Sequence, residues 1–120
     1  MKIAVTSLGE SLESPIDQRF GRARFFVLYD LENGEWSVHD NKQNLEAAQG
    51  AGIQAARNVA ALGVGCVLTG HCGPNAFRTL RAAGIELYLG VKGTVAEAVE
   101  QVKAGELKPA QDADVEGHWV

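Results

Sequence analysis

The stretch that decides the fold reads Leu68-Thr69-Gly70-His71-Cys72-Gly73-Pro74-Asn75-Ala76-Phe77. An apolar run ends at Leu68, which predicts the end of a buried strand, and Pro74 is typical of the first turn of a helix. The polar turn between them contains His71 and Cys72, directly ahead of the N–H groups of that helix. Such a place can bind an anion or lower the pKa of a thiol. We therefore expect a strand–turn–helix unit whose turn carries the chemistry.

The segments on either side of this unit predict the element order β-β-β-α-β-α-β-α. The predicted strands are residues 2–6, 24–30, 36–38, 64–69 and 85–89, and the predicted helices begin near Ile53, at Pro74 and after Thr94. Asn33-Gly34 is a strong hairpin signal, so the second and third strands should pair antiparallel. Thr94-Val95-Ala96-Glu97 is a capping-box pattern, which marks the start of the last helix.

This order predicts an α/β fold with three layers and a mixed five-stranded sheet. Right-handed crossovers place helices on both faces of the sheet. If the first strand is central, the strand order is 3-2-1-4-5. Ligands of such sheets bind at the carboxyl ends of the parallel strands, near the switch in strand order. Here those ends are residues 6–7, 70–72 and 90–92, and the turn at residues 49–52 should reach the same edge.

Composition limits the class of protein. A chain of 120 residues can bury one core, so we expect a single domain over residues 1–105 and a loosely held acidic tail at 106–120. The net charge of −4 argues against general nucleic-acid binding. Two cysteines make no disulfide framework, and neither a signal peptide nor a membrane-length apolar run is present. We expect a cytoplasmic protein with reduced thiols, as a monomer or weak dimer.

Four segments in order resemble the dinitrogenase iron–molybdenum cofactor biosynthesis family. They are residues 15–26, 50–56, 69–77 and 83–88, and the resemblance spans roughly residues 1–105. The family includes NifX- and NafY-type cofactor carriers and the C-terminal part of some NifB proteins. Another branch, the orange proteins of sulfate-reducing bacteria, carries a molybdenum–copper–sulfide cluster. The resemblance implies a ribonuclease H-like fold and non-catalytic binding of a metal–sulfur cluster.

His71 and Cys72 are the candidate metal ligands. Thiolates favour Cu(I), Zn and Fe–S species. Two ligands are too few for a closed mononuclear zinc site, whereas a preassembled cluster brings its own sulfides and needs only one weak anchor. The alternative is that Cys72 is a packed turn residue and that His71 makes hydrogen bonds within the turn. Cys66 lies inside a predicted strand, so we expect it in the core.

Arg19, Arg22 and Arg24 cluster around Phe20 and Gly21 as a candidate anion clamp, in which Arg19 and Arg22 are the predicted site residues and the alternative for Arg24 is a solvated side chain at the start of a strand. Clusters of the thiomolybdate type are anionic, so guanidinium groups and helix N-termini would stabilise them. The structural alternative is that Asp17 pairs with Arg19 or Arg22 and orders the long loop. The two interpretations are compatible.

Two turns complete the predicted site with backbone N–H donors, one containing Gly50 and Gly52 and the other containing Gly73 and Asn75. The first turn is neither a P-loop nor a dinucleotide fingerprint, which argues against a nucleotide site. The loop at residues 7–22 is long, and loops of this length are usually functional or disordered. We expect it to close over a bound cluster.

Three other functions are weaker. A nuclease of the ribonuclease H type would need carboxylates for two Mg²⁺ ions, one on the first strand, but residues 1–9 contain no Asp or Glu. A Cys72-dependent enzyme would need a base that meets the thiol, and neighbours on an extended turn point different ways. A cofactor-free interaction module stays open. The sequence predicts a non-catalytic carrier of a molybdenum–copper–sulfide cluster or an iron–molybdenum cofactor precursor, with a cluster donor or acceptor protein as partner.

Overall fold

The computed structural model describes residues 1–42, 50–111 and 113. Its elements are β1 (Lys2–Ser7), β2 (Phe25–Asp30), β3 (Trp36–Asp40), α1 (Ala51–Ala61), β4 (Cys66–Leu68), α2 (Pro74–Ala82), β5 (Glu86–Tyr88) and α3 (Val95–Lys103). The predicted element order is confirmed. Our expectations for Gln49, in the turn at residues 49–52, and for residues 112 and 114–120 of the tail lie outside the described residues.

One mixed sheet has the predicted strand order, β3-β2-β1-β4-β5. β1 pairs antiparallel with β2 and parallel with β4, and β4 pairs parallel with β5. In the register of β1 and β4, Ile3 lies opposite Cys66 and Val5 opposite Leu68. The parallel strands β1, β4 and β5 therefore end on the same side of the sheet, which we call the carboxyl edge.

Helices cover both faces of the sheet, as predicted. Because strand side chains alternate between faces, Ala4 packs with α1 and α2 on one side, and Val5 packs with α3 on the other. The helices bury Ala55, Ala56 and Val59 from α1, Phe77 and Leu80 from α2, and Val95, Ala98 and Val99 from α3. The protein is thus a three-layer α/β fold with one core cluster on each side of its sheet.

The helices differ in how they begin. α3 has the predicted capping box, in which the Thr94 hydroxyl accepts from the Glu97 N–H at 3.2 Å and the Glu97 carboxylate accepts from the Thr94 N–H at 2.9 Å. The N-caps of α1 and α2 are Gly50 and Gly73, which have no side chain to cap the helix. Both helices begin at the carboxyl edge, so their first N–H groups face that edge without a side-chain acceptor.

The segment after α3 returns over the core. Leu107 packs against the cluster on the α3 side, and Ala110 and Ala113 pack against the opposite cluster. The Ala110 N–H also donates to the Leu87 C=O at 2.7 Å. The domain boundary expected after residue 105 stays a prediction. Among the described residues, no helix combines the length and the apolar composition needed to cross a membrane.

Candidate functional site

Residues 7–22 are an ordered segment fastened to the edge of the sheet. The Asp17 N–H donates to the Thr6 C=O at 3.0 Å, and the Ile16 N–H donates to the Gly93 C=O at 2.9 Å. The N–H groups of Val95 and Ala96 at the start of α3 donate to carbonyls of the same segment, at 3.0 and 2.8 Å. From its length we expected this segment to close over a ligand. Its hydrogen bonds instead attach it to the end of β1, to the loop before α3 and to the start of α3.

The central contact of the site joins Arg19 to His71. The His71 N–H donates to the Gln18 C=O at 2.7 Å, and the His71 C=O accepts from the Phe20 N–H at 3.1 Å. These two bonds make Arg19 and His71 partners in a parallel bridge. Arg19 is exposed and His71 is half-buried. The structure therefore places side by side two residues that the sequence proposed separately.

We define residues 18–24 as the arginine turn. Buried polar side chains hold it on the side that faces the core. The two carboxylate oxygens of Asp17 accept from the N–H groups of Arg19 and Arg24, each at 3.1 Å. The Asn41 amide donates to the carbonyls of Gly21 and Ala23 at 3.2 and 2.8 Å. Asp17 thus orders this segment as the structural alternative expected, but through backbone N–H groups rather than guanidinium groups. The sequence analysis missed Asn41, since nothing marks it beyond its position after β3.

Two buried threonines connect Asp17 to the sheet. The Thr6 hydroxyl donates to the Asp17 C=O at 2.6 Å and lies 2.8 Å from the Thr69 hydroxyl. Thr6 and Thr69 end the apolar runs of β1 and β4, so both hydroxyls lie at the carboxyl edge. The sequence analysis also missed this pair, although a threonine at the end of each apolar run was a readable signal.

Two predicted contact residues, Phe20 and Cys72, lie in the core. Phe20 is fully buried and packs on Phe26 with 5.6 Å between ring centroids. Cys72 has no exposed surface, and its Sγ lies 3.5 Å from the Gly73 C=O. The ring of Phe20 therefore supports the arginine turn from within. For Cys72, the placement matches the packed alternative more closely than an accessible metal ligand.

Cys66 lies in β4, in the core cluster on the side of α3, as expected. Burial, followed by the charge of Glu86, raises the pKa of the Cys66 thiol to about 12. Cys72 belongs to the cluster on the other side of the sheet, and neither cysteine is in a disulfide. The two thiols therefore lie in different core clusters, on opposite sides of the sheet.

The two glycine-containing turns lie at the N-termini of neighbouring helices. A Cβ added at Gly52 would lie 3.2 Å from the Ala76 Cβ, so the glycine allows α1 to approach α2 closely. Gly50 adopts a left-handed conformation with φ of 79°. Asn75 is exposed at the start of α2, and its Oδ1 accepts from the Arg78 guanidinium at 2.5 Å. The structure thus brings both sets of N–H donors to one edge.

Arginines place positive charge in the arginine turn and along the two helices that start at this edge. The six arginines of the chain all lie in the arginine turn or in α1 and α2, and neither helix contains Asp or Glu. Helix N-termini add partial positive charge. Within the part of the chain that the structure describes, no group of three or more His, Cys, Asp or Glu side chains could hold a metal ion. The donor set therefore suits an anion better than a bare cation.

The fold and the site define a small α/β protein whose carboxyl edge carries the arginine turn and two helix N-termini. Residues 1–105 match the family described as dinitrogenase iron-molybdenum cofactor, and the chain belongs to this family. The resemblance drawn from the four sequence segments is thereby confirmed.

Three proteins are similar to this chain. The orange protein from Desulfovibrio gigas, solved in its apo form, is 38% identical with a TM-score of 0.93 over 95% of this chain and 96% of that chain. A putative NifB protein from Thermotoga is 34% identical with a TM-score of 0.83, covering 97% and 98%. An uncharacterized protein of Methanocaldococcus jannaschii is 28% identical over 104 residues, covering 78% of this chain and 86% of that protein.

Proposed function

We propose that this protein binds and carries an anionic, molybdenum-containing metal–sulfur cluster at its carboxyl edge, without catalysis. The observation that carries the proposal is the bridge between Arg19 and His71. It pairs the backbone of Arg19, which is exposed, with the backbone of His71, which is half-buried, at the point where β4 ends and α2 begins. Membership of the dinitrogenase iron-molybdenum cofactor family supports a role in handling such a cofactor.

The resemblance to the orange-protein branch and the chemistry of the edge together indicate which cluster the protein carries. The orange-protein branch carries a molybdenum–copper–sulfide cluster, and the similarity to the orange protein from Desulfovibrio gigas extends over nearly the whole chain. We therefore place a molybdenum–copper–sulfide cluster first and an iron–molybdenum cofactor precursor second. Both present anionic sulfides that accept hydrogen bonds from guanidinium and backbone N–H groups.

Each group at the edge has a separate role in this proposal. Arg19 and Arg22 neutralise the charge of the cluster, and the first N–H groups of α1 and α2 donate to its sulfides. His71 is the weak anchor for one metal, because its half-buried imidazole lies beside Arg19. Ligation by Cys72 would require its turn to move, since the thiol is fully buried.

A carrier of this kind would act in the cytoplasm, where both thiols stay reduced, and would exchange the cluster with a donor or acceptor protein. The order of the arginine turn before binding favours this role. A site that is already formed loses less conformational entropy when its ligand arrives.

Reconstitution tests the proposal. The purified protein is incubated with tetrathiomolybdate and Cu(I), or separately with an iron–molybdenum cofactor source, and then passed over a desalting column. We expect visible absorption and stoichiometric molybdenum to stay with the protein in at least one of the two experiments. A colourless, metal-free protein after both would overturn the carrier function and favour a cofactor-free interaction module.

A further inference from the structure

We propose that Asp17 is a positioning residue of the cluster site, which shapes the arginine turn so that Arg19 faces an anion. The inference rests on the proposed function. It concerns a side chain that is only 3% exposed and lies beneath the turn rather than at its surface.

The carboxylate of Asp17 links the two ends of the turn. Its Oδ1 accepts from the Arg19 N–H and its Oδ2 accepts from the Arg24 N–H, each at 3.1 Å. One side chain thus ties the start of the arginine turn to its end. The segment between these two bonds contains Arg22, so the shape of the turn and the placement of both clamp arginines depend on one carboxylate.

Asp17 itself is fastened to the sheet. Its N–H donates to the Thr6 C=O at 3.0 Å, and its C=O accepts from the Thr6 hydroxyl at 2.6 Å. The bridge between Arg19 and His71 then fixes the turn laterally against the end of β4. Two independent sets of hydrogen bonds therefore hold the arginine turn. One set is made by Asp17 and the other by the bridge to His71.

The requirement for a carboxylate follows from hydrogen-bonding capacity. An ionised carboxylate offers two acceptor oxygens and no donor, which matches two N–H groups that approach from different sides. An asparagine in its place offers one acceptor oxygen and an NH₂ group that would face an N–H donor. One end of the turn would then lose its partner, and bonds to charged acceptors are the stronger kind.

Positioning and simple electrostatics predict opposite effects, which makes the role testable. Asp17 places a negative charge under a site for an anion, so charge alone would make Asp17→Asn bind the cluster more tightly. Positioning makes the same variant bind more weakly, because Arg19 loses its fixed place. Asp17→Glu keeps the charge but lengthens the side chain, so only the positioning account expects it to weaken binding.

The test is an absorption titration of the folded variants with the cluster formed from tetrathiomolybdate and Cu(I). We expect Asp17→Asn and Asp17→Glu each to raise the Kd about tenfold. The double variant of Asp17→Asn with Arg19→Gln should lose less affinity than the sum of the two single losses, because part of the effect of Asp17 is exerted through Arg19. The matched control is Asp40→Asn, an exposed aspartate that accepts from the Lys42 N–H, and its Kd should stay within about twofold of wild type.

A second readout is independent of the cluster. In the free protein, amide hydrogen exchange at Arg19 and Arg24 should accelerate in Asp17→Asn, while exchange in the strands stays slow. If Asp17→Asn does not fold, Asp17→Glu carries both measurements. Equal or tighter cluster binding by the folded variants, or additive effects in the double variant, would overturn this inference while leaving the carrier function intact. Failure of the wild-type protein to bind any cluster would instead overturn the carrier function and this inference with it.

Discussion

The hydroxyl oxygens of Thr6 and Thr69 lie 2.8 Å apart, where β1 and β4 reach the carboxyl edge. Both residues are fully buried, and Thr6 also donates to the Asp17 C=O at 2.6 Å. This pair connects two parallel strands to the segment that carries the arginine turn. The position of the candidate site relative to the sheet therefore depends on two side chains that no ligand would touch.

Thr6→Val should lower the free energy of unfolding by about 1–3 kcal/mol, because a buried carbonyl loses its donor while the shape of the side chain is kept. Urea denaturation measures the change. The matched control is Thr79→Val in α2, where the hydroxyl donates to the Asn75 C=O at 2.9 Å on the exposed side. We expect the control to cost less than about 1 kcal/mol. Equal losses at both positions would contradict the structural role of Thr6.

Gly70→Ala should be destabilising, because an added Cβ would lie 2.8 Å from the Gln18 C=O and would also meet the Gln18 side chain. We expect a loss of about 1–3 kcal/mol, accompanied by weaker cluster binding since the arginine turn is displaced. The control is Gly65→Ala, whose Cβ would have its nearest neighbours in the exposed side chain of Met1. That side chain can move away, so the control should be nearly neutral in thermal denaturation. If Gly70→Ala left the stability unchanged, the close approach of Gly70 to Gln18 would not be required for folding.

Arg19→Gln should raise the Kd for the tetrathiomolybdate–Cu(I) cluster about tenfold, which corresponds to about 1.4 kcal/mol. The reason is the loss of a guanidinium that the bridge to His71 holds at the edge. Binding should also become less sensitive to salt, because one charge contact is removed. Arg57→Gln removes the same charge from an exposed position in α1 and serves as the control. If both variants raised the Kd equally, Arg19 would contribute to binding only through the net charge of the protein.

Cys72→Ala should retain the chromophore of the reconstituted protein, because the thiol has no exposed surface from which to reach a bound cluster. Stability should fall by about 1–2 kcal/mol through lost packing. Visible absorption and thermal denaturation separate the two effects. Loss of the chromophore in a folded Cys72→Ala protein would restore the direct thiolate ligand that the sequence suggested.

The stability of the protein should fall as the pH rises above about 9, in part because of Cys66. Burial and the charge of Glu86 raise the pKa of this thiol from 9.0 to about 12 in the folded state. Between these values the unfolded chain loses the Cys66 proton and the folded chain keeps it, so unfolding is favoured progressively. Cys66→Ala should make this decline shallower in urea denaturation series at about pH 8 and about pH 10.5.

In Cys66→Ala the stability should still fall as the pH rises above about 9, although less steeply. The pKa of Tyr88 is also raised, first by burial and then by the charges of Cys66 and Glu86, so Tyr88 contributes in the same direction. Since the loss of packing in Cys66→Ala is the same at every pH, the slope and not the absolute stability is the relevant quantity. An unchanged slope would mean that Cys66 titrates alike in the folded and unfolded states.

Local patterns in the sequence were sufficient for the elements and their order. The apolar run at residues 2–6, the Asn33-Gly34 hairpin signal and the capping box at Thr94 each involve residues that are close together in the chain, so a short window contains their physical cause. The strand order followed from these elements, because crossover handedness leaves few topologies.

The sequence also predicted that the candidate site lies at the carboxyl edge, where α2 directly follows β4. It did not show which side chains face that edge. Whether Cys72 points into the core, and whether Arg19 meets His71, depends on the register between segments far apart in the chain, and no local window contains that register.

The strand–turn–helix stretch at residues 68–77 shows both what the sequence determines and what it leaves to the tertiary structure. Its sequence by itself determined a strand that ends, a turn and a helix that begins, because apolar burial and proline geometry act locally. Only the tertiary structure decided what that turn presents. Packing of α1 and α2 against the sheet buries Cys72, and the pairing of residues 18–20 with His71 exposes Arg19 beside it. The Asn41 amide and the Gly21 C=O that it meets beneath the turn are also far apart in the chain, so only the folded structure brings them together.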